Sequence, residues 1–331
     1  MAIREDTGLK PRLSSFGLPE QGWPGVDFKN FSFPREAQST MVLQMENDDA
    51  HEEVDPPPRR HGRSRVIPVQ SDEPILRPRA FVEYDRRTSK RRLEPFTNVF
   101  LCYDNTHFKA LAGELARGGL ISKRTGDVVI LKGGQTALVG QSGIGAPAVV
   151  AKCEELIAFG ARRFLSLGTA ATITNATEVG DVIVCTKAFS DEGTSRHYVV
   201  GRDIFRATQP LAKQVQAWLS SQGVFCKEGT AWTTDAPYRE TVQKRHAFLA
   251  KGADVVEMEA SALYMLAACR RKVEVASVFV VGDSIAESTW QPHFNDRRIR
   301  MLLNQTGREL LDLLECQDYA PTERKGPHGS R

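Results

Sequence analysis

Between residues 97 and 315 the chain alternates short apolar, β-branched runs with longer segments of helical periodicity. Continuous apolar strands that alternate with helices are typical of a parallel or mixed sheet covered by helices on both faces. The pattern therefore predicts an α/β fold with a central mixed sheet flanked by helices. The strand-like runs are residues 98–103, 136–141, 163–169, 180–189, 227–235 and 273–283.

The two ends of the chain lack this alternation. The segment MENDDAHEEVDPPPRRHGRSR (45–65) passes from acidic residues through proline to basic residues, and few of its side chains can build a core. We expect an N-terminal arm over residues 1–75 that is largely disordered or wraps on a neighbour. One domain is expected over residues 76–318, followed by a tail over residues 319–331.

Composition narrows the class of protein. The net charge of +3 over 331 residues is too small to indicate a nucleic-acid partner. The six cysteines form no CxxC motif and no Cys/His cluster, so we expect buried free thiols and no metal site. The sequence has no apolar run long enough to cross a membrane and no signal peptide, which predicts a cytoplasmic protein without a membrane partner.

Two carboxylates stand where an apolar helix begins, in GADVVEMEASALYMLAACRR (252–271). The helix after Glu259 is apolar on every side, which predicts that it is buried. One interpretation is that Glu257 and Glu259 complement the helix dipole, an arrangement worth about 0.3–1 kcal/mol. The other is that they bind a ligand, because buried carboxylates need donors and the hydroxyls of a sugar supply them.

The segment VVEMEASALY (255–264) resembles the ribose-binding signature of the nucleoside phosphorylase-I superfamily, which contains purine nucleoside phosphorylases, uridine phosphorylases and related nucleosidases. The resemblance covers roughly residues 95 to 315, about two thirds of the chain. It implies a three-layer phosphorylase/hydrolase-like fold. It also implies a homo-oligomer, a dimer or a trimer of dimers, in which a neighbouring subunit completes each active site; His51 and His61 are candidates for the donated residue. The other segments that carry the resemblance are residues 142–171, 180–199, 233–241 and 280–288.

The resemblance implies roles for individual residues of these segments. Glu259 is expected to accept hydrogen bonds from the ribose hydroxyls, Met258 to pack on the sugar, and Glu257 to support the site. Thr169 matches the residue that binds phosphate or the sugar. Asp283 matches the acid beside purine N7, although an aspartate at the end of a strand is also a common turn or helix N-cap residue.

These candidates are expected to meet at one edge of the sheet. Ligands of open α/β sheets bind beyond the carboxyl ends of the strands, where Asp104, the 142–145 loop, Thr169 and Asp283 are predicted to lie. The run GIGAPA (143–148) also resembles a dinucleotide-binding loop. That interpretation requires an acid at the end of the next strand, and the sequence there has none.

The chemistry favours a purine as the leaving group. Cleaving an N-glycosidic bond leaves negative charge on the base, and a protonated Asp283 can neutralise purine N7 as the bond breaks. Uridine phosphorylases, by the resemblance, recognise uracil with a glutamine and an arginine in an insert, for which residues 238–254 are too few. Tyr238 is expected to stack on the base. Arg239 is expected to bind an oxygen of the base or an anion, or else to be a solvated charge.

The phosphate site departs from the superfamily pattern. Ser166 and His107 stand where the resemblance leads us to expect arginines. The candidate replacements are His107, Arg196, Thr169 and the backbone N–H groups of the loop that ends at Gly145. The favoured function is phosphorolysis of a purine nucleoside, as in purine salvage, with phosphate as co-substrate and without a cofactor or metal. Hydrolysis by water and a non-catalytic nucleoside-binding protein are the alternatives.

Overall fold

The computed structural model describes residues 74–88, 94–140 and 143–316. Most of the predicted arm, including His51 and His61, and the predicted tail lie outside these residues. Within them, no helix is long and apolar enough to cross a membrane.

Helices and strands alternate along the chain, as the hydrophobic pattern predicts. The helices are α1 (Pro78–Thr88), α2 (Asn105–Arg117), α3 (Ala146–Phe159), α4 (Gln209–Ser221), α5 (Val242–Ala250), α6 (Ala260–Cys269) and α7 (Arg297–Glu315). The strands are β1 (Asn98–Cys102), β2 (Ile121–Thr125), β3 (Val128–Leu131), β4 (Thr136–Val139), β5 (Arg163–Thr172), β6 (Val182–Asp191), β7 (Ile204–Arg206), β8 (Cys226–Thr234), β9 (Val255–Glu257), β10 (Glu274–Ser284) and β11 (Gln291–Pro292).

These strands form one mixed sheet, in the order β11-β10-β6-β8-β9-β5-β1-β4-β3-β2, with β7 paired to β6. Because β10 also pairs with β5, the five strands β5, β10, β6, β8 and β9 close into a ring. The pairings β1–β4, β1–β5 and β5–β10 are parallel, whereas β10–β6 and β5–β9 are antiparallel. The predicted fold class, a central mixed sheet flanked by helices, is confirmed.

Helices pack on this sheet in two groups. Helices α2, α4 and α7 contact one another or the strands β1, β5 and β10, and helices α1, α3 and α6 form a second group of contacts. Helix α6 is buried along most of its length, from Ala260 to Leu266, which confirms the burial predicted from its apolar composition. Helix α7 is amphipathic and buries the face that carries Leu303, Leu310 and Leu314.

The parallel strands bring the predicted site residues to one edge of the sheet. The carboxyl ends of β1, β4, β5 and β10 point the same way because these strands pair in parallel. Asp104 follows β1, Gly143 to Gly145 follow β4, and Thr169 and Asp283 lie in the last part of β5 and β10. This edge is where ligands bind in sheets of this kind.

One local prediction needs correction. Glu257 is not in the first turn of α6, because it is the last residue of the short strand β9. Glu259 precedes α6 directly, at its N-cap position. The two carboxylates therefore belong to a strand end and a helix start, which lets both side chains reach the same buried region.

Candidate functional site

Glu257 is buried and held by three donors. Its carboxylate accepts hydrogen bonds from the hydroxyl of Thr233, from the backbone N–H of Glu259 at 2.7 Å and from that of Ala260 at 2.8 Å. Two of these donors are N–H groups at the start of α6, which have no partner inside the helix. Glu257 thus satisfies the helix N-terminus, so the interpretation of this acid as a structural residue is correct in part.

Glu259 reaches across to a distant loop. Its Oε1 accepts a hydrogen bond of 2.6 Å from the backbone N–H of Gly145, the residue that precedes α3. Gly145 has φ of 97°, a conformation that favours glycine, and a Cβ placed there would lie 3.9 Å from Cε of Met258. Met258 is half-buried, and it joins Glu259 and Gly145 in one contact region.

A third carboxylate, Glu192, is buried in the same region. It accepts hydrogen bonds from Ser190 Oγ at 2.8 Å, from the backbone N–H of Ser195 at 2.9 Å and from Ser261 Oγ at 3.1 Å. Ser261 is in the first turn of α6, and its backbone N–H donates to Thr233 Oγ1, which itself donates to Glu257. A continuous hydrogen-bond network therefore links Glu192 to Glu257.

Three buried acids, Glu192, Glu257 and Glu259, share this site. Across the part of the chain that the structure describes, no lysine or arginine forms an ion pair with Glu192, Glu257 or Glu259. Burial raises the pKa of the Glu257 carboxyl, and burial together with the charge of Glu257 raises the pKa of Glu259. Such a site favours a ligand that offers hydroxyl donors or develops positive charge.

Asp283 is buried near the end of β10 and is 7% exposed. It pairs with Pro292 of β11 in the sheet, while helix α7 is capped by Asp296, so Asp283 is not a helix N-cap. The indole N–H of Trp290 donates to its Oδ2 at 2.9 Å. Burial raises the pKa of Asp283, a shift that this hydrogen bond and the nearby His293 partly oppose.

A second carboxyl lies near Asp283. Glu240 follows the 3₁₀ turn Pro237–Arg239, and burial together with the charge of Asp283 raises its pKa to about 7. Tyr238 and Arg239, the predicted base ligands, are on this turn and are exposed, Tyr238 to 99%. Neither side chain is packed into the fold, so their predicted roles depend on a bound ligand and stay predictions.

Thr169 is exposed near the end of β5, opposite Val280 of β10. A Cβ placed on Gly282 would lie 3.3 Å from Cγ2 of Thr169 and 3.3 Å from the ring of Phe294. Gly282 therefore allows the threonine and the aromatic ring to approach each other beside Asp283. Thr169 has the accessible position that its predicted role in binding phosphate or sugar requires.

The structure does not support His107 as a cationic phosphate ligand. The His107 side chain is 6% exposed, its Nδ1 lies 3.2 Å from Sγ of Cys102, and a Cβ on Gly307 of α7 would lie 3.0 Å from its Nε2. Burial lowers the pKa of His107 to about 4, so the ring is neutral at pH 7. The sequence position predicted a cation here, but helix packing buries the side chain.

The other two phosphate candidates have different surroundings. Arg196 is exposed on the 3₁₀ turn Thr194–His197, which contacts α3 and α6. The N–H of Gly145 donates to Glu259, so in this conformation it is not available to an anion. Arg196 is therefore the predicted cation that retains access to a ligand.

Several residues at this edge were not predicted from the sequence. Trp290 and Glu240 meet Asp283 through loops, and Glu192, the residue that follows β6, joins the acid network. The hydroxyls of Tyr103 and Ser166 are buried at the margin of hydrogen-bond distance from each other, and neither has another partner within the described residues. Burial, reinforced by the charge of nearby Glu259, raises the pKa of Tyr103 well above its usual value. A tryptophan in the polar segment ESTWQPHF was a signal for Trp290 that the sequence interpretation did not use.

Comparison with known proteins adds independent support. The family model of the phosphorylase superfamily matches residues 89–312. The uridine phosphorylase of Treponema pallidum is 30% identical over 192 residues, 54% of this chain and 72% of the relative. A DeoD-type purine nucleoside phosphorylase of Bacillus cereus is 30% identical over 203 residues, 61% of this chain and 79% of the relative.

Solved structures have the same fold. The purine nucleoside phosphorylase of Toxoplasma gondii, solved in complex with immucillin-H, matches with a TM-score of 0.57 and 19% identity over 67% of this chain and 90% of that chain. The uridine phosphorylase of Vibrio fischeri ES114 matches with a TM-score of 0.55 and 23% identity over 67% of this chain and 92% of that chain. The predicted resemblance is thus confirmed by fold and by family: the chain belongs to the phosphorylase superfamily and is an enzyme of the nucleoside phosphorylase type.

Proposed function

We propose that this enzyme cleaves the N-glycosidic bond of a purine nucleoside with phosphate and releases the free base and ribose 1-phosphate, a reaction of purine salvage. The observation that carries the purine assignment is the buried Asp283 carboxyl. A departing purine accumulates negative charge that a proton at N7 neutralises, and burial raises the pKa of the Asp283 carboxyl, which favours its protonated form. A pyrimidine has no N7 to receive it.

The acid network suits the sugar. A carboxylate has about four lone-pair sites, so Glu259 keeps acceptor capacity for ribose hydroxyls after it accepts the N–H of Gly145. The half-buried Met258 offers an apolar surface beside it. Because the sugar gains positive charge as the bond breaks, the buried carboxylates favour the transition state over the ground state.

The nucleophile is phosphate in this proposal, as the names of the relatives support. Thr169 offers a hydroxyl at the open edge of the sheet, and Arg196 offers an exposed cation on a turn that contacts α3 and α6. A single cation compensates only weakly for the repulsion between a phosphate and a cluster of acids. We therefore expect a high phosphate KM.

Hydrolysis by water is the second candidate, and one observation favours it. Apart from their marginal contact with each other, the buried hydroxyls of Tyr103 and Ser166 lack hydrogen-bond partners within the described residues, and buried hydroxyls in this condition usually bind an ordered water. They lie near Glu259, next to the predicted sugar site. A water held there is a neutral nucleophile that needs no cation.

Product analysis distinguishes the two candidates. Inosine, guanosine, adenosine and uridine are each incubated with the full-length enzyme, with and without phosphate, and the base and the sugar product are quantified. The proposal expects base release from purine nucleosides only, dependent on phosphate, with ribose 1-phosphate as product. Free ribose at a rate that is indifferent to phosphate identifies hydrolysis, and release of uracil alone refutes the purine assignment.

The proposal includes a homo-oligomer, a dimer or a trimer of dimers, as the resemblance implies. The side chains of Trp290, Phe294 and Tyr238 are exposed, and those of Trp290 and Phe294 lie beside Asp283 and Gly282. A neighbouring subunit would cover them and complete the site. Sedimentation velocity of the full-length chain measures the mass, and a monomer with full activity would contradict this part of the proposal.

A further inference from the structure

Resting on the proposed purine chemistry, we propose that Trp290 is the positioning residue of the general acid. Its indole N–H fixes Oδ2 of Asp283, so that the other oxygen, Oδ1, is presented to N7 of the leaving base. The basis is the hydrogen bond of 2.9 Å between Trp290 Nε1 and Asp283 Oδ2.

The loop between the two residues is built to return the indole to the acid. Ser288 has φ of 59°, in the left-handed region that turns favour, and its N–H donates to the carbonyl of Ile285 at 3.1 Å. After Trp290 the chain pairs with β10, where Asp283 faces Pro292. The N–H of His293 then donates to the carbonyl of Gly282 at 3.0 Å. Backbone bonds thus fix the loop on both sides of the acid.

Among the residues that the structure describes, Trp290 is held mainly by this bond and by one ring contact. Its side chain is 63% exposed, so core packing does not determine the orientation of the indole. Its ring centroid lies 6.4 Å from that of Phe294, at an interplanar angle of 46°, and Phe294 in turn contacts the surface of Gly282. The indole N–H is the only hydrogen-bond donor of this exposed side chain, and it is bonded to a buried carboxylate. The residue therefore positions the acid and does not pack in the core.

The indole N–H of Trp290 is an uncharged donor, and this limits its effect on the ionisation of Asp283. A neutral N–H orients the carboxylate but stabilises its charged form less than a cation does. Within the described residues, the titratable groups that face Asp283 are Glu240, from the turn before α5, and His293, from the chain after β11. The ionisation of Glu240 and that of Asp283 oppose each other, whereas His293 favours the ionisation of Asp283. Trp290 can therefore fix the geometry of Asp283 while leaving its proton available to the base.

The test replaces the indole N–H and keeps an aromatic ring, with Trp290→Phe. Because the N–H stabilises the ionised carboxyl, its loss raises the pKa of Asp283, and the alkaline limb of the kcat profile moves to higher pH. Loss of orientation lowers kcat for a natural purine nucleoside about tenfold to a hundredfold, with little change in KM. A 7-methylated purine nucleoside, which needs no proton at N7, keeps most of its rate.

The matched control is Trp218→Phe. This substitution also removes an indole N–H, but the Nε1 of Trp218 has no hydrogen-bond partner among the described residues. We expect its pH profile to coincide with that of the parent enzyme. Trp290→Phe with an unshifted alkaline limb and unchanged kcat refutes the inference while the proposed function stands.

Fluorescence separates the two hypotheses if no nucleoside releases base. The chain has four tryptophans, so the emission of Trp290 is obtained as the difference between the parent and Trp290→Phe across a pH titration. The inference expects this difference to titrate and to become independent of pH in Asp283→Asn. If the difference signal titrates but no nucleoside releases base, the proposed function is refuted and the contact between Trp290 and Asp283 stands. If the difference signal does not titrate, the inference about Trp290 is refuted.

Discussion

The carboxylate of Glu259 and the backbone N–H of Gly145 are joined by a hydrogen bond of 2.6 Å between residues that are 114 positions apart. This bond connects the start of α6 to the start of α3, so the acid-rich motif and the glycine-rich loop form one site. Each element places one partner: Glu259 stands at the N-cap of α6, and Gly145 has the positive φ that lets the loop turn into α3. The bond predicts how substitutions at Glu259 and at Gly145 affect activity and stability.

Glu259→Gln should reduce kcat/KM for ribonucleosides by about tenfold to a hundredfold, because a hydrogen bond to a charged group is worth about 1.5–3 kcal/mol. The glutamine keeps a carbonyl oxygen for the N–H of Gly145, and it removes a buried carboxyl whose ionisation the fold disfavours. The midpoint of urea denaturation should therefore stay the same or rise. Unchanged kinetics in a variant of normal stability would show that Glu259 does not bind the sugar.

Gly145→Ala should lower both stability and activity. A Cβ at this position has room, with nothing nearer than 3.9 Å, but a φ of 97° strains an alanine by about 1–3 kcal/mol. Gly134→Ala is the matched control, because Gly134 has φ of 74° and open space around it, in the turn between β3 and β4. Both variants should lose similar stability in urea denaturation, and only Gly145→Ala should lose kcat/KM. Equal kinetics for the two would separate the loop from catalysis.

Stability should fall as pH rises from about 5 to 8. The pKa values of Glu257 and Glu259 are raised in the folded protein, so the folded state binds more protons than the unfolded chain, in which glutamate titrates near about 4.3. The favourable contribution is present at low pH and is lost as pH rises through the folded pKa values. Urea denaturation at a series of pH values measures the slope. Glu259→Gln should flatten it, and an equal slope in that variant would contradict the assignment of the raised pKa.

Asp283→Asn should reduce turnover of natural purine nucleosides by roughly 10² to 10⁴, because it keeps the shape of the acid but has no proton to transfer. A 7-methylated purine nucleoside already carries positive charge on the base, so its turnover should be spared. Rates on the two substrates give the comparison. Equal losses on both would mean that Asp283 positions the base and does not protonate it.

The local hydrophobic pattern was sufficient to predict the long strands and helices of the fold. Strands β5 and β10 and helix α6 are long apolar runs, so the sequence predicts them, and parallel pairing then brings Thr169 and Asp283 together. Strand β9 was not predicted because its three residues have no period, so Glu257 was placed at the start of a helix. A motif locates an acid along the chain, but the strand partner determines which neighbours it has.

Contacts between distant segments account for the remaining differences. His107 stands at the sequence position of a cation, but α7 packs against it, and burial leaves the ring neutral. Trp290 meets Asp283 only because the chain reverses and pairs as β11. Neither event is encoded in the few residues around it, since each depends on which elements pack together in the finished fold.

Arg196 is exposed and His107 is buried, and this difference gives the last prediction. Arg196 is exposed on a turn tied to α6, because Ser195 N–H and Ser261 Oγ both donate to Glu192. Arg196→Gln should raise the phosphate KM about tenfold or more, since it removes a charge-assisted bond worth about 1.5–3 kcal/mol, with little effect on nucleoside KM.

Arg117→Gln is the matched control: it removes an exposed arginine at the far end of α2, and its phosphate KM should be unchanged. His107→Leu should change the urea midpoint without changing the phosphate KM, because the neutral buried ring contributes packing and no charge. Phosphate KM values for the three variants decide between the two residues. If His107→Leu raises the phosphate KM and Arg196→Gln does not, the anion binds on the α2 side, and the ring must leave its buried position to reach it.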